Sequence, residues 1–234
     1  MKRGVKILII VSLIVLIIAL LFVCWQLFRV RAVNVKGSAD AGFVRQLSGL
    51  KTGDSIFFVD RQEVLDRVEA EPWIKAVEVN IVYPDKVEIT AEKREIAAYV
   101  KSGENLLAID GECCVLKANE TSAVDMPVIT GLQMDVFEVG KTLGCGDKFM
   151  LGVIERLLDE LNVSGLKINE IDLSMAANIV FKTQQGMCIE IGDDTNLAAK
   201  LKLASATIIE LEQWGNTSGI LDVSSVSNAY YREN

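Results

Sequence analysis

Twenty-two consecutive uncharged residues, Ile7–Phe28, constrain this chain more than any other feature, and only Ser12 and Gln26 interrupt their apolar character. As an α-helix rising about 1.5 Å per residue, the run extends roughly 33 Å, against a hydrocarbon core of about 30 Å. Lys2, Arg3 and Lys6 precede it with no acid among them, and Arg29 and Arg31 follow. The run exceeds the roughly 7–15 apolar residues of a signal-peptide core. Val23–Arg31 also lacks a small-x-small cleavage pattern, so the segment reads as a retained single-pass anchor. The basic start places residues 1–6 in the cytoplasm and the bulk of the chain outside. Trp25 and Phe28 at the distal end suit an interfacial aromatic belt.

The 206 residues after position 28 can build one large or two small domains with real cores. They hold 21 basic and 32 acidic residues, a formal −11, once the three basic residues ahead of the span are set aside from the chain's −8. Such a surface repels phosphate backbones, so no nucleic-acid partner is expected. There is no histidine. Ser-His-Asp and Cys-His catalysis are therefore excluded, and the commonest zinc ligand is missing. Cys113, Cys114, Cys145 and Cys188 show no C-x-x-C spacing. They read as free thiols rather than a metal site, with disulfides in an oxidising compartment as the alternative. On a strand, adjacent Cys113 and Cys114 would point to opposite faces, so at most one would meet the core.

Hydrophobic periodicity divides the remainder into two units. In the first, residues 30–36 alternate as a strand ending at Gly37. A short helix with Phe43, Val44 and Leu47 on one face closes at Gly49. Asp60 caps a second helix, with Glu63 placed for a capping box and Val64, Leu65 and Val68 as the buried stripe. Pro72 ends that helix, and Trp73 is expected to plug the junction of helix and sheet. Strands follow over Ala76–Tyr83 and Lys86–Glu92, joined by a turn at Pro84-Asp85. The order β-α-α-β-β describes a small sheet with two helices on one face.

From Ala97 the pattern becomes strand-rich: Ala97–Val100, Leu106–Ile109, Cys113–Leu116, Ile168–Leu173, Asn178–Lys182, Met187–Ile191 and Ile220–Val223. Asp147 is expected to cap a helix with Met150, Ile154, Leu157, Leu158 and Leu161 inward. Thr195 is expected to cap a second, with Leu197, Leu201, Ala204, Ile208 and Leu211 at 4-3-4-3 spacing, a stripe suited to covering a sheet. The fold class is thus α+β: a single transmembrane helix, a small β-α-α-β-β domain, then a mostly antiparallel sheet with two flanking helices. The boundaries expected are a tail over 1–6, the span over 7–28, domains over 29–96 and 97–223, and a C-terminal tail over 224–234.

Several phrases, in order, carry a family resemblance: Val33-Asn-Val-Lys-Gly37, Leu50-Lys-Thr-Gly-Asp-Ser-Ile-Phe-Phe-Val-Asp60, Glu71-Pro-Trp-Ile-Lys-Ala-Val-Glu-Val79 and the stretch from Tyr83-Pro-Asp to Ala97. Ile109-Asp-Gly111, Gln185-Gly-Met-Cys-Ile-Glu-Ile-Gly192 with Lys200-Leu201, and Gly219-Ile-Leu-Asp-Val223 continue it. Together they resemble the bacterial cell-division proteins FtsQ/DivIB, the first unit similar to that family's POTRA domain and the second to its β domain.

The resemblance implies a non-enzymatic divisome scaffold at the septum. It would bind FtsB/DivIC-like and FtsL-like bitopic proteins and, through them, help regulate septal peptidoglycan synthases. It implies no catalytic residue, cofactor or metal. Partner capture by strand addition is expected at an exposed edge formed by Gly219, Ile220, Leu221, Asp222 and Val223, with Tyr230 and Tyr231 as aromatic anchors. Ser224-Ser225 stand where some members carry an Arg-Tyr pair. The alternatives are an extracytoplasmic POTRA chaperone or translocation factor, and a wall hydrolase using Asp193-Asp194 or Asp110 with Glu112.

Overall fold

The computed structural model describes residues 3–134, 136–145, 148–175 and 177–233, and the chain separates into two compact units, Met1–Arg94 and Glu95–Asn234. Helix α1 (Arg3–Leu27) opens the first. Its Leu8–Leu27 stretch has a mean hydropathy of 3.3, and none of it is buried by the protein itself. At 20 residues it is about 30 Å long, enough to cross a bilayer core. Phe28, placed within the span by sequence, instead lies just past the helix and packs against the domain core.

That domain is a three-stranded sheet ordered β1-β3-β2. Strand β1 (Ala32–Lys36) runs parallel to β3 (Lys86–Lys93), with Val33 opposite Val87, and β2 (Ile74–Val82) pairs antiparallel with β3. Alternation sends Val33, Val79, Val87, Ile89 and Ala91 into the core. Val44 from α2 (Ala41–Leu47), Ile56, and Val64 and Val68 from α3 (Arg61–Glu69) close over them. Asp60 caps α3 as expected, accepting from the backbone N–H of Gln62 at 2.9 Å and of Glu63 at 3.3 Å. The Glu63 carboxylate pairs with Arg67 one turn on, at 2.5 Å. Gly37 is dictated by crowding: it has φ +105°, and a Cβ there would lie 2.1 Å from the Ala91 carbonyl oxygen. Two expectations are corrected. Phe43 is exposed, because the barely two turns of α2 present only Val44 squarely to the sheet. Trp73 is half-buried and outside the core, and Ile74 fills the junction instead.

The second unit is one nine-stranded sheet. In chain order its strands are β4 (Ala98–Ser102), β5 (Asn105–Ile109), β6 (Val115–Glu120), β7 (Val128–Thr130), β8 (Ile168–Asp172), β9 (Ile179–Thr183), β10 (Met187–Gly192), β11 (Gly219–Asp222) and β12 (Tyr230–Arg232). Their spatial order is β12-β11-β10-β9-β8-β7-β4-β5-β6. Five of the eight junctions are antiparallel and three parallel. Two parallel junctions follow from the helices. Helix α4 (Lys148–Ser164) carries the chain from β7 to its neighbour β8, and α5 (Leu197–Gln213) from β10 to its neighbour β11. A crossover of that length is what a parallel pair requires. The two helices pack side by side. Ile154, Leu157, Leu158 and Leu161 of α4 join Leu197, Leu201, Ala204 and Leu211 of α5 in one core with Phe181, Ile189 and Leu221 of the sheet. The 4-3-4-3 stripe therefore covers the sheet.

Three local expectations fare differently. Cys113 and Cys114 are both buried. Strand alternation does not apply to them, because they sit in a turn: Cys113 has φ +56°, and Asp110 accepts from the N–H groups of Glu112 and Cys114. Thr195 does not cap α5. Asn196 holds the cap position in a left-handed conformation without a side-chain bond, and the Thr195 hydroxyl donates to Asp193 at 2.6 Å. Asp147, the expected cap of α4, lies outside the described residues.

Candidate partner-binding edge

The residues singled out by sequence meet at one end of the large sheet. β11 lies beside β10, with Met187 opposite Gly219 and Glu190 opposite Asp222. The Val223 N–H extends the pairing to the Glu190 carbonyl at 2.9 Å. Leu221 and Val223 point inward and are fully buried, so they specify the fold. On its other side β11 pairs antiparallel with β12: Ile220 faces Arg232, Leu221 faces Tyr231 and Asp222 faces Tyr230.

This corrects the expected edge. Gly219–Asp222 is covered on both flanks and offers no open ladder, and Tyr230–Arg232 is a strand rather than part of a tail. Among the described residues no strand lies beyond β12, so its outer flank is the end of the sheet.

The two tyrosines have different surroundings. Tyr231 shares the inward face with Leu221, packs on the core, and donates its hydroxyl to the Ser218 carbonyl at 2.8 Å. Gly219 makes this possible. With φ +123°, a Cβ there would sit 2.7 Å from both the Arg232 carbonyl oxygen and Tyr231 Cε2. Tyr230 faces outward and is exposed. Beside it Arg232 reaches Glu190 of β10 at 3.3 Å, and Asp222 accepts from the Ser224 N–H at 2.9 Å. The Ser224 hydroxyl, then its backbone N–H, with Arg232 adding, hold the Asp222 carboxyl below the usual range. Ser224 thus has a role in this turn. Sequence reasoning missed Arg232 and Glu190 as parts of this end. The only signal was a Tyr-Tyr-Arg triplet too short to read as a strand.

The carboxylates considered for catalysis are engaged in structural contacts. Asp193 receives the Nζ of buried Lys200 at 2.8 Å, which, with Thr195, brings its pKa to about 2. Asp194 pairs with Arg156. Asp110 is buried and closes the turn at Cys113. Among the described residues no cluster of acids and cysteines could hold a metal ion, and no disulfide joins two cysteines.

Two family descriptions match the chain: "POTRA domain, FtsQ-type" over residues 28–94 and "Cell division protein FtsQ/DivIB, C-terminal" over residues 98–224. The chain belongs to the FtsQ/DivIB family. It is similar to cell division protein DivIB of Clostridium acetobutylicum, 26% identical over 210 residues that span 87% of this chain and 82% of the relative. It is also similar to DivIB of Clostridium botulinum (strain Loch Maree), 24% identical over 230 residues, 95% of this chain and 90% of the relative. A match to cell division protein FtsQ of Anaeromyxobacter sp. (strain K) is 26% identical over 203 residues, 84% and 67% respectively. The FtsQ/DivIB match ends at residue 224, so β12 lies beyond it.

Proposed function

We propose that this FtsQ/DivIB-family chain is a non-enzymatic scaffold of the bacterial divisome. It is anchored by α1 with its first residues in the cytoplasm and both domains outside, and it works at the division septum. Its partners are FtsB/DivIC-like and FtsL-like bitopic proteins, through which it helps regulate septal peptidoglycan synthesis. The observation that carries the reading is the open outer flank of β12 at the end of the nine-stranded sheet. An unpaired strand flank is a template for another strand: backbone hydrogen bonds supply affinity and alternate side chains supply specificity. Exposed Tyr230 is the aromatic anchor there. Gly219–Val223 and Tyr231 contribute by holding β12 in place. The engagement of Asp193, Asp194 and Asp110 in structural contacts favours this reading over a carboxylate hydrolase.

The test is a crosslinked pull-down of the full-length chain from membranes of dividing cells, run beside a variant ending at Ala229. Recovery of short bitopic division proteins and a septal synthase by the intact chain, and their loss from the truncated one, is expected. Equal recovery by both would place the contact elsewhere. Recovery of unfolded export clients alone would turn the reading into a chaperone.

A further inference from the structure

The aromatic residues around the exit of α1 do not belong to the partner edge. Phe28, the first residue past the helix, stacks on Phe57 with centroids 4.9 Å apart, and Tyr83 lies 6.4 Å from Phe28 and 6.1 Å from Phe57. The three come from the helix exit, the loop before α3 and the β2–β3 turn. Unlike a core cluster, this one faces out: Phe57 is 62% exposed, Tyr83 57%, and neighbouring Phe58 89%.

The backbone fixes these loops against the exit. The Ile56 N–H donates to the Phe28 carbonyl at 3.0 Å, Val30 N–H to Asp54 at 2.8 Å, Gly53 N–H to Val30 at 2.8 Å and Arg31 N–H to Asp85 at 2.8 Å. The Arg29 guanidinium lies 4.0 Å over the Trp25 ring, joining the last turn of the helix to the first residues of the domain. No free linker separates helix from domain.

From this geometry we infer that the first domain rests directly on the lipid bilayer, with Phe57, Phe58 and Tyr83 inserted into the headgroup zone around the helix. The inference rests on α1 being a membrane span. A helix of about 30 Å ends at the hydrocarbon boundary, and the headgroup layer beyond it is roughly 5–8 Å thick. Rings whose centroids lie 4.9 and 6.4 Å from Phe28 fall within that depth. Tyrosine favours this zone, and phenylalanine is among the residues that interfacial segments bury at the boundary of headgroups and acyl chains. The patch is continuous with the helix surface that already meets lipid, which commits it to lipid rather than to a protein partner. The domain is then held at a fixed height by four points instead of hanging from one.

The full-length chain in nanodiscs of phosphatidylethanolamine and phosphatidylglycerol tests this. The photo-crosslinking residue p-benzoylphenylalanine replaces, one at a time, Trp25, Phe58, Tyr83 and Phe43, and lipid adducts are read by intact-protein mass spectrometry. Phe43 is exposed too but follows the far end of β1. Adducts at positions 25, 58 and 83, and none at 43, are expected. Adducts at 25 alone overturn the proposal while leaving the anchor intact, as do a chain-to-chain crosslink at 58 or equal adducts at 43 and 58. No adduct even at 25 overturns the membrane span and the proposal with it.

Discussion

Replacing Gly219 by alanine tests how the sheet end is built. The new Cβ would lie 2.7 Å from the Arg232 carbonyl oxygen and 2.7 Å from Tyr231 Cε2, at φ +123°. The chain has two ways to respond. It can keep β12 in place, which costs about 1–3 kcal/mol of backbone strain plus a clash with a carbonyl that has nowhere to turn. Or it can release β12. At about 1 kcal/mol net per hydrogen bond, a three-residue ladder and the Tyr231 hydroxyl bond together amount to about 3 kcal/mol. Release removes the clash altogether, so it is the cheaper response. The second unit should then stay folded while β12 detaches. Hydrogen exchange of the full-length chain should show the 224–234 peptide losing protection by roughly a hundredfold, the equivalent of about 3 kcal/mol. Leu221, Val223 and the β9–β10 peptides should keep theirs. Gly103→Ala is the control: Gly103 also has positive φ (+62°), but nothing lies within 4 Å of its added Cβ. It should leave 224–234 unchanged. Unaltered protection of 224–234 in Gly219→Ala would refute the proposed packing of Tyr231 over Gly219. Collapse of the whole unit would refute the argument that β12 can detach while the rest stays folded.

Leu157→Ala, at a fully buried position on α4, should cost about 2–5 kcal/mol, whereas Val163→Ala on the exposed side of the same helix should stay within about 0.5 kcal/mol; urea unfolding of the purified chain compares them. The Asp193–Lys200 pair sets an acid-limb prediction. A carboxyl held at about 2 when folded and near 3.9 when unfolded adds stability that is fully present above the unfolded value. It is lost as pH falls toward 2. Lys200→Met should flatten the dependence of the unfolding midpoint on pH between about 4 and 2, and an unchanged slope would remove the pair as its source. Burial, then Glu155 and Asp110, push the Cys113 thiol up to about 12. Iodoacetamide at pH 8 should therefore leave Cys113 unmodified in the native chain and alkylate it only after denaturation, which peptide mass spectrometry will show.

What could be read from the sequence was set by short-range physics. The long apolar helix, the Asp60 cap, the two inward stripes of α4 and α5 and most strands depend on residues within a few positions of one another, and they stand close to where the local pattern put them. Cys113 and Cys114 were misjudged because alternation holds only inside a strand. The Asp110 carboxylate, by taking two backbone N–H groups, turns the chain one residue before β6 begins. Thr195 was misjudged because Asp193 competes for its hydroxyl and draws in Lys200 as well.

The edge of the sheet is a different kind of property. Whether β11 is outermost depends on what pairs with its far flank, and that is decided eight residues beyond its end by a triplet with no apolar run of its own. The local clue was Gly219. Read only as the first residue of the expected edge, it says nothing about β12. With Tyr231 lying over it, the absent side chain becomes the seat of the last strand. A glycine at the end of a strand can therefore mark where another strand will pack, and the same consideration makes Gly37 the place where β1 leaves the small sheet close against Ala91. The proposed partner capture through β12 would then depend on a residue that need not touch the partner. Gly219→Ala should reduce capture as far as truncation after Ala229 does, while Tyr230→Ala, which leaves β12 seated, should weaken it by only the anchor's share. If Gly219→Ala releases β12 and capture persists, the contact surface lies elsewhere on the domain.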